Sequence, residues 1–438
     1  MCRSRNASED WILNMHIETV QLKNFKRFEL LKLDFDPNLN IFIGVNGAGK
    51  TSILQSLLYG LATTVHYFSG QWGPFAKDAP IVHKRIERCN DRVRQEAIYP
   101  VEIILSVNEN DEVWRAGQLC RSDNSWELLN LPSSFKRQKE LGCTLPVFAF
   151  YAADRFMEGF SYQAIQANFQ PEERLTAYQK WNNASDKTEC QKTLSWVVTK
   201  SMERMQLALE RSSSFHGVVD DDLATLNHAL KSSFDNFDSI YYDWNAKAIL
   251  TRWTDDGIKP FEDLSDGQRA VVFLFADIVR RAALLNPHLG TKAAQETDGI
   301  VIIDELDAHL HPAWQQKIAQ GLQSAFPKMQ FIVSTHSPFV AAEVKAEQIY
   351  LLKGNEVTHP RQALGLNNSE INLQIFEATG QNDAVAKEIQ DLRRRIDERK
   401  FDEVRRGIEA LEQKLNGPTE DTRELNMLLD WAKSESEL

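Results

Sequence analysis

The sequence predicts an α/β fold, and three short apolar runs carry this prediction. The runs begin at Ile41, Gly299 and Gln330, and their unbroken apolar character is typical of buried parallel strands. Helical spacing follows the first run over residues 52–65 and precedes the second over residues 270–285. Strands that alternate with helices in this way favour an α/β architecture with mixed sheets.

Composition limits the class of protein. With 438 residues, of which 42% are hydrophobic, the chain can form two or three domains with a sizeable core. A net charge of −12 argues against a protein that coats nucleic acid by bulk charge. No apolar run approaches the length of a membrane span, and the five cysteines are dispersed: Cys2, Cys89, Cys120, Cys143 and Cys190. We therefore expect free thiols, a cytoplasmic location and no membrane partner.

Residues 44–51, Gly-Val-Asn-Gly-Ala-Gly-Lys-Thr, match the P-loop pattern between the first strand and the first helix. Small residues let successive N–H groups surround a phosphate at the positive end of a helix. We expect Lys50 to reach the β- and γ-phosphates and the Thr51 hydroxyl to bind Mg²⁺; the alternative is a glycine turn that only precedes a helix. The predicted ATP-binding residues here are Asn46, Gly47, Ala48, Gly49, Lys50, Thr51 and Ser52.

The second apolar run ends in two carboxylates, Asp304 and Glu305. At the end of a buried strand, Asp304 is expected to hold the Mg²⁺ ligand shell. Glu305 is expected to orient or deprotonate the attacking water. The alternative is an acidic strand end that faces solvent.

Residues 264–269, Leu-Ser-Asp-Gly-Gln-Arg, precede the strong helix over residues 270–285. Serine and glycine at a helix N-terminus offer a hydroxyl and N–H groups to an anion, so Ser265, Gly267 and Gln268 are further ATP-binding candidates. The alternative is an ordinary helix cap.

The segment 22–28, Leu-Lys-Asn-Phe-Lys-Arg-Phe, resembles the opening of the SMC, RecF and Rad50-like branch of the ABC ATPases. Residues 264–269 resemble the signature of the same proteins, and their order between the P-loop and the acidic strand strengthens the resemblance. It implies a two-lobed ATPase head with mixed sheets, in which Lys26 and Arg27 lie near the adenine. For Lys26 and Arg27 the alternative is a solvated basic turn. In such proteins the signature completes the site of the opposite subunit, so a homodimer around ATP is expected.

The same resemblance gives roles to three histidines. His336 ends the third strand and resembles the switch histidine that contacts the γ-phosphate; a structural polar cap is the alternative. His309 and His311 stand where the branch has its D-loop, which contacts the partner subunit. Their spacing also permits a metal site, which we consider the weaker interpretation. The glutamine that joins the two lobes is not identified; Gln71 is a candidate, and Asp154 and Arg155 also follow a strand.

These motifs divide the chain into five parts. The parts are a polar extension at 1–14, an N-terminal ATPase lobe at 15–155, a helical insertion at 156–238, a C-terminal ATPase lobe at 239–365 and a helical tail at 366–438. Two basic clusters, 83–94 and 136–139, are interpreted mainly as solvated faces, and so is the acidic run 220–222.

The tail carries apolar residues at helical spacing from Val385 and again from Val404, with Asp402 as a predicted cap, which predicts a helical hairpin. A third short helix is expected after Pro418. A similar tail follows the core in bacterial ATPases of Septu-type antiphage systems, including those linked to retrons, which often accompany an HNH nuclease. That resemblance implies a regulatory ATPase with a separately encoded nuclease partner and a possible DNA partner. The alternatives are a DNA repair ATPase and, more weakly, an ABC transporter subunit.

Overall fold

The computed structural model describes residues 15–69, 82–89, 92–109, 112–120, 126–128, 144–153, 165–170, 172–376 and 383–436. The chain divides into two compact units, residues 1–366 and residues 367–438. The predicted extension at 1–14, Gln71, Asp154, Arg155 and the basic cluster 136–139 lie outside the described residues.

The first unit contains all sixteen described strands. They are β1 (His16–Phe25), β2 (Phe28–Asp34), β3 (Leu39–Gly44), β4 (Lys84–Cys89), β5 (Arg92–Ala97), β6 (Val101–Glu109), β7 (Glu112–Cys120), β8 (Trp126–Leu128), β9 (Val147–Tyr151), β10 (Phe237–Asp243), β11 (Ala248–Trp253), β12 (Gly257–Pro260), β13 (Gly299–Ile303), β14 (Met329–Thr335), β15 (Ile349–Lys353) and β16 (Glu356–Thr358).

Eleven α-helices are described, seven of them in the first unit. These seven are α1 (Lys50–Ser69), α2 (Lys187–Glu210), α3 (Asp222–Ser233), α4 (Asp266–Leu285), α5 (Ala293–Glu296), α6 (Pro312–Ala325) and α7 (Pro338–Ala341). The second unit contains α8 (Asn368–Gln374), α9 (Asp383–Asp397), α10 (Phe401–Lys414) and α11 (Glu420–Ser436). Described 3₁₀ turns cover Arg174–Tyr178, Trp181–Asn183, Phe215–Gly217, Phe261–Asp263, Pro287–Lys292 and Ala346–Gln348.

A six-stranded sheet in the order β16-β15-β3-β14-β13-β9 forms the centre of the first unit. The five strands from β15 to β9 are parallel, and the residues of β9, β13 and β14 are all buried, as their apolar composition predicts. Parallel pairing brings the carboxyl ends of β3, β14, β13 and β9 to one edge. The P-loop, the acidic pair and His336 all follow these ends.

The other large sheet is antiparallel, in the order β2-β1-β6-β7-β8. Its strand β1 buries Ile17, Val20 and Leu22 against the core. Helix α1 contacts strands of both sheets, and its Gly60 lies so close to Leu105 that an added Cβ would stand 2.5 Å from that side chain. The α/β architecture with mixed sheets is therefore confirmed.

In the described part of the predicted helical insertion, two α-helices, α2 and α3, alternate with 3₁₀ turns and irregular chain, and β10 begins at Phe237. The acidic run 220–222 is not simply solvated, which corrects our interpretation. Asp221 caps α3 by accepting from the Ala224 N–H at 2.7 Å and pairs with the buried guanidinium of Arg204.

Helices α9 and α10 form the predicted hairpin, but the third helix, which we expected to be short, spans 17 residues and contributes to the same core. Leu425 and Leu429 of α11 are buried together with apolar residues of α9 and α10, among them Ile389 and Ile408. Asp402 is not the cap that we predicted: the cap position of α10 is Lys400, and Asp402 lies in the first turn. Within the described residues of both units, no helix combines the length and apolarity needed to cross a membrane.

A candidate nucleotide site at the strand ends

The P-loop leaves β3 and enters α1 at Lys50 in a conformation that only its glycines permit. Gly47 and Gly49 have φ values of +77° and +107°. A Cβ on Gly49 would also stand 2.7 Å from Cδ of Arg27 and 2.8 Å from Cζ of Phe28. The loop is therefore shaped by backbone freedom at two positions and by side chains of the β1–β2 hairpin.

Lys50 folds back over this loop. Its ammonium donates to the carbonyl oxygens of Gly44 at 2.8 Å and Val45 at 3.4 Å. Burial lowers the pKa of Lys50, while the carboxylates of Asp304, Glu305 and Asp307 act in the opposite direction. The lysine thus provides a buried positive charge between the loop and the strand ends.

Thr51 and Asp304 meet although 253 residues separate them. The Thr51 hydroxyl donates to Oδ2 of Asp304 at 2.9 Å, and the Ser334 hydroxyl donates to Oδ1 of the same carboxylate. A hydroxyl and a carboxylate are hard oxygen ligands of the kind that Mg²⁺ prefers. These residues therefore fit the predicted Mg²⁺ site.

Glu305 is exposed two residues after the end of β13, in a left-handed conformation with φ of +53°. Its backbone N–H donates to the Ser334 hydroxyl at 2.8 Å, and the next N–H, of Leu306, donates to the Ser334 carbonyl at 2.8 Å. A non-glycine residue in this region stores about 1–3 kcal/mol of strain and needs such support. Ser334, to which our sequence analysis gave no role, therefore positions both carboxylates.

His336 follows β14 and is half-buried beside Asp307. One Asp307 carboxylate oxygen accepts from the His336 backbone N–H at 3.2 Å and from the Thr335 hydroxyl. Asp307 therefore fixes the backbone that presents His336, a role that our sequence analysis missed. The signal was present, because Asp307 follows the acidic pair by two residues.

The signature residues form the start of α4. Ser265 is the N-cap and exchanges hydrogen bonds with Gln268, whose side chain accepts from the Ser265 N–H at 3.1 Å. A Cβ on Gly267 would stand only 2.3 Å from the His309 carbonyl oxygen, so this turn packs directly on the loop after β13. The described hydrogen bonds of Ser265 stay within its own turn and do not reach the P-loop.

His309 and His311 have different surroundings. His309 is exposed with φ of +60°, whereas His311 caps α6 by accepting from the Ala313 N–H at 3.3 Å. Among the described residues, no three His, Cys, Asp or Glu side chains are grouped as metal ligands. The weaker metal interpretation therefore rests on the sequence spacing alone.

Lys26 and Arg27 lie against the P-loop and the first turns of α1. The Arg27 guanidinium donates to the Gly47 carbonyl, and the Lys26 ammonium donates to the Gln55 side chain. Burial lowers the pKa of Lys26. The two cations thus border the phosphate loop, although their contact with adenine stays a prediction.

Two family models match the chain. A model described as "AAA domain" matches residues 19–231, and one described as "AAA domain, putative AbiEii toxin, Type IV TA system" matches residues 170–342. Together they span the P-loop, the signature and the strand ends.

Curated relatives and solved structures are also similar. The chain is 24% identical to a "Retron Ec83 probable ATPase" of Escherichia coli, over 93% of this chain and 85% of the relative. It is 41% identical to a "Septu protein PtuA" of Bacillus mycoides, over 78% of this chain and 41% of the relative. A Smc head domain from Pyrococcus furiosus, solved with the C-terminal domain of ScpA, covers 79% of this chain at 14% identity, with 96% of its own length matched and a TM-score of 0.47.

Proposed function

We propose that this chain, an SMC/RecF-like ATPase related to the ATPases of retron and Septu systems, is the regulatory subunit of an antiphage complex. In this proposal it binds Mg²⁺ and ATP at the P-loop and hydrolyses ATP within a homodimer. The cycle controls a separately encoded nuclease, for which an HNH enzyme is the favoured class.

One observation carries the nucleotide site: the 2.9 Å hydrogen bond between Thr51 and Asp304. The two residues come from motifs at opposite ends of the first unit, and only the parallel order β3-β14-β13 brings them together. A bound Mg²⁺ would take its protein oxygens from this pair. Lys50, which already lies over the loop, would exchange its two carbonyl partners for phosphate oxygens.

The catalytic step follows from the same geometry. Glu305, exposed at the strand end, would orient or deprotonate the water that attacks the γ-phosphate. The bond to the leaving ADP oxygen breaks as the water oxygen bonds to phosphorus, and His336 would contact the transferred phosphoryl group.

The homodimer rests on the exposed positions of Ser265 and His309. They belong to two segments in direct contact, yet the described hydrogen bonds of Ser265 leave the P-loop of the same chain untouched. A second copy would place this N-terminal helix turn against its partner's γ-phosphate, where N–H groups and the hydroxyl stabilise negative charge.

The nuclease partner is supported by the Septu and retron relatives and by the surface of the second unit. Helix α11 exposes Met427 by 70% and Trp431 by 62%, one turn apart. Aromatic and methionine side chains of this kind are enriched in protein interfaces. A DNA partner is a further proposal, for which the exposed Lys84 and Arg85 of the β4 strand are the candidate contacts.

Replacing Lys50 tests the nucleotide site. Lys50→Ala should weaken ATP binding by about 10²-fold or more, because two charge-assisted hydrogen bonds of about 1.5–3 kcal/mol each are lost. The measurement is calorimetric titration with ATP, and Lys187→Ala, an exposed lysine of α2, is the control. A folded Lys50→Ala protein with normal affinity would contradict the assignment.

Mixed protomers test the homodimer. Lys50→Ala and Ser265→Arg proteins should each be inactive, and a mixture should regain part of the activity through sites that pair one intact P-loop with one intact signature. Subunit exchange is verified with differently labelled protomers. A mixture that exchanges but stays inactive would argue against composite sites.

Coexpression tests whether a separately encoded nuclease binds this chain and cleaves DNA. The native operon is expressed with this chain tagged, and DNA cleavage by the purified complex is compared with cleavage by the chain alone. We expect a copurifying nuclease and cleavage by the complex only. Strong DNA cleavage by the single chain, lost after a point substitution in it, would contradict the proposal that a separate protein cleaves the DNA. ATP turnover that DNA stimulates in the absence of a nuclease would favour the DNA repair alternative.

A further inference from the structure

An open cavity of about 440 Å³ is lined by Lys26, Arg27, Val82, His83 and Lys84, and Arg27 joins this lining to the P-loop carbonyl of Gly47. This volume lies within the range of about 300–1,000 Å³ that small-molecule sites occupy. Two larger cavities, of about 600 and 550 Å³, lie among residues 168–325 and are not lined by Lys26 or Arg27.

The phosphate chain of a nucleotide has a defined direction in the candidate site. Its terminal phosphate must lie where Lys50, the Thr51–Asp304 pair and Glu305 converge. Asp304, Glu305 and His336 do not line the 440 Å³ cavity, whereas Arg27 joins it to the loop at Gly47. A nucleoside that continued from the loop along Arg27, away from the strand ends, would enter this cavity.

His83 is held in the cavity wall by its backbone and by one ring nitrogen. Its N–H donates to the Asn24 carbonyl at 2.9 Å, and its carbonyl accepts from the Ile98 N–H at 3.0 Å. Its Nδ1 lies 2.8 Å from the Lys26 carbonyl oxygen. Because a carbonyl oxygen can only accept, Nδ1 carries the proton, and in the neutral ring Nε2 is an acceptor.

We propose that His83 selects the base: its Nε2 accepts a hydrogen bond from the 6-amino group of an adenine nucleotide. Guanine and hypoxanthine carry an oxygen at this position, which would face the lone pair of Nε2 and offer no proton. The inference rests on the proposed nucleotide site and adds the residue that distinguishes ATP from GTP. Lys26 and Arg27 supply positive charge beside the base but cannot accept from its amino group.

The test compares ADP with IDP, whose bases differ in the 6-substituent and in the proton that N1 carries only in IDP; neither has a γ-phosphate to hydrolyse. The full chain is titrated calorimetrically with ADP and, separately, with IDP, both in the presence of Mg²⁺. ADP should bind about tenfold more tightly than IDP, as expected for one hydrogen bond gained and one repulsive contact avoided. His83→Leu should bind both diphosphates with nearly equal affinity. His83→Gln should also lose the preference while keeping more affinity, because its amide can either donate or accept. His228→Leu, an exposed histidine elsewhere in the unit, is the control and should keep the wild-type ratio.

The ratio of the ADP and IDP affinities separates base selection by His83 from a structural role of His83. Local disorder of the β4–β5 hairpin would weaken the binding of both diphosphates alike. An ADP preference that survives in His83→Leu, or that is absent from the wild-type protein, would overturn the inference and leave the phosphate site intact. Wild-type protein that binds neither diphosphate would instead overturn the nucleotide site itself.

Discussion

Two groups of charged residues in the first unit differ in the side chains that donate hydrogen bonds to their buried aspartate. The first is the candidate site, where Asp304 accepts from the hydroxyls of Thr51 and Ser334 and Glu305 is exposed. The second, which we call the buried charge cluster, consists of Asp277, Arg280, Arg281 and Glu189. All four of its side chains are no more than 2% exposed.

The buried charge cluster is balanced, with two acidic and two basic groups. Asp277 accepts from Arg280 at 2.8 Å, Arg281 at 2.7 Å, Tyr151 at 2.8 Å and Thr193 at 2.9 Å. Burial alone would raise the pKa of Asp277, but Arg281 and Arg280 outweigh it and hold that pKa at about 2. The Tyr151 hydroxyl is a neutral donor, because burial and Asp277 raise its pKa well above the usual value.

The comparison teaches that a buried aspartate bonded to two arginines serves the structure of the fold, whereas the hydroxyl donors to Asp304 lie at the strand ends where a cation is expected. The two groups are also connected. Tyr151 donates its hydroxyl to Asp277, and its carbonyl accepts from the Asp304 N–H at 2.9 Å. The cluster therefore joins α4, α2 and the strand beside the acidic pair. Substitutions should affect catalysis in one group and stability in the other.

The largest expected effect is on catalysis. Glu305→Gln should slow ATP hydrolysis by about 10²–10⁴-fold and leave ATP binding and folding nearly unchanged, since an exposed group that acts only on water is removed. Steady-state kcat and ATP affinity are the measurements, and Glu356→Gln on β16 is the control. Unchanged turnover would remove Glu305 from the catalytic role and weaken the contrast.

The next effect is on stability. Asp277→Asn should destabilise the fold around α4 by about 3–5 kcal/mol, because Arg280 and Arg281 then share one buried carboxylate. Hydrogen exchange in peptides of α4 and α2 measures the loss locally, with Asp256→Asn, an exposed carboxylate, as the control. ATP affinity per folded molecule should stay close to wild type. A variant with unchanged exchange would show that the cluster is not structural.

The two groups were not equally visible in the sequence. The candidate site could be predicted because its chemistry requires fixed residue types at fixed spacing, as in residues 44–51 and at Asp304. The buried charge cluster could not, because Asp277 and Arg281 are spaced like a solvated i,i+4 pair and Glu189 is 92 residues from Arg281. The available signal was three charges inside a helix that is otherwise apolar from Ala270 to Leu285.

The difference between local spacing and contacts distant in sequence also explains the errors in the predicted fold. Residue periodicity located the α/β core and the tail helices, but a hairpin and a three-helix core leave similar local patterns. The difference lies in Leu425 and Leu429, whose burial depends on non-local packing. His83 escaped notice for a related reason, because its role depends on the hydrogen bond to Lys26, 57 residues away.

A smaller effect is expected where the two groups connect. Tyr151→Phe removes one donor to Asp277 but leaves Arg281 on the same oxygen, so a cost of about 1–2 kcal/mol is expected. Because the β9–β13 backbone pairing persists, kcat should fall by less than in Glu305→Gln. Exchange of α4 peptides and steady-state kcat are measured together. A loss of kcat equal to that of Glu305→Gln, without a loss of stability, would place Tyr151 in the catalytic machinery instead.

The smallest effect is expected for an ion pair outside both groups. Lys414 of α10 pairs with Glu388 of α9, and both side chains are about half exposed. Water and salt screen such a pair, and holding two long side chains costs conformational entropy, so its coupling should be about 0.2–1 kcal/mol. A double-mutant cycle with Glu388→Gln and Lys414→Met, followed by exchange in α10, measures it at low and high salt. A coupling above about 2 kcal/mol that persists in salt would show that exposure does not separate weak from strong charge pairs in this protein.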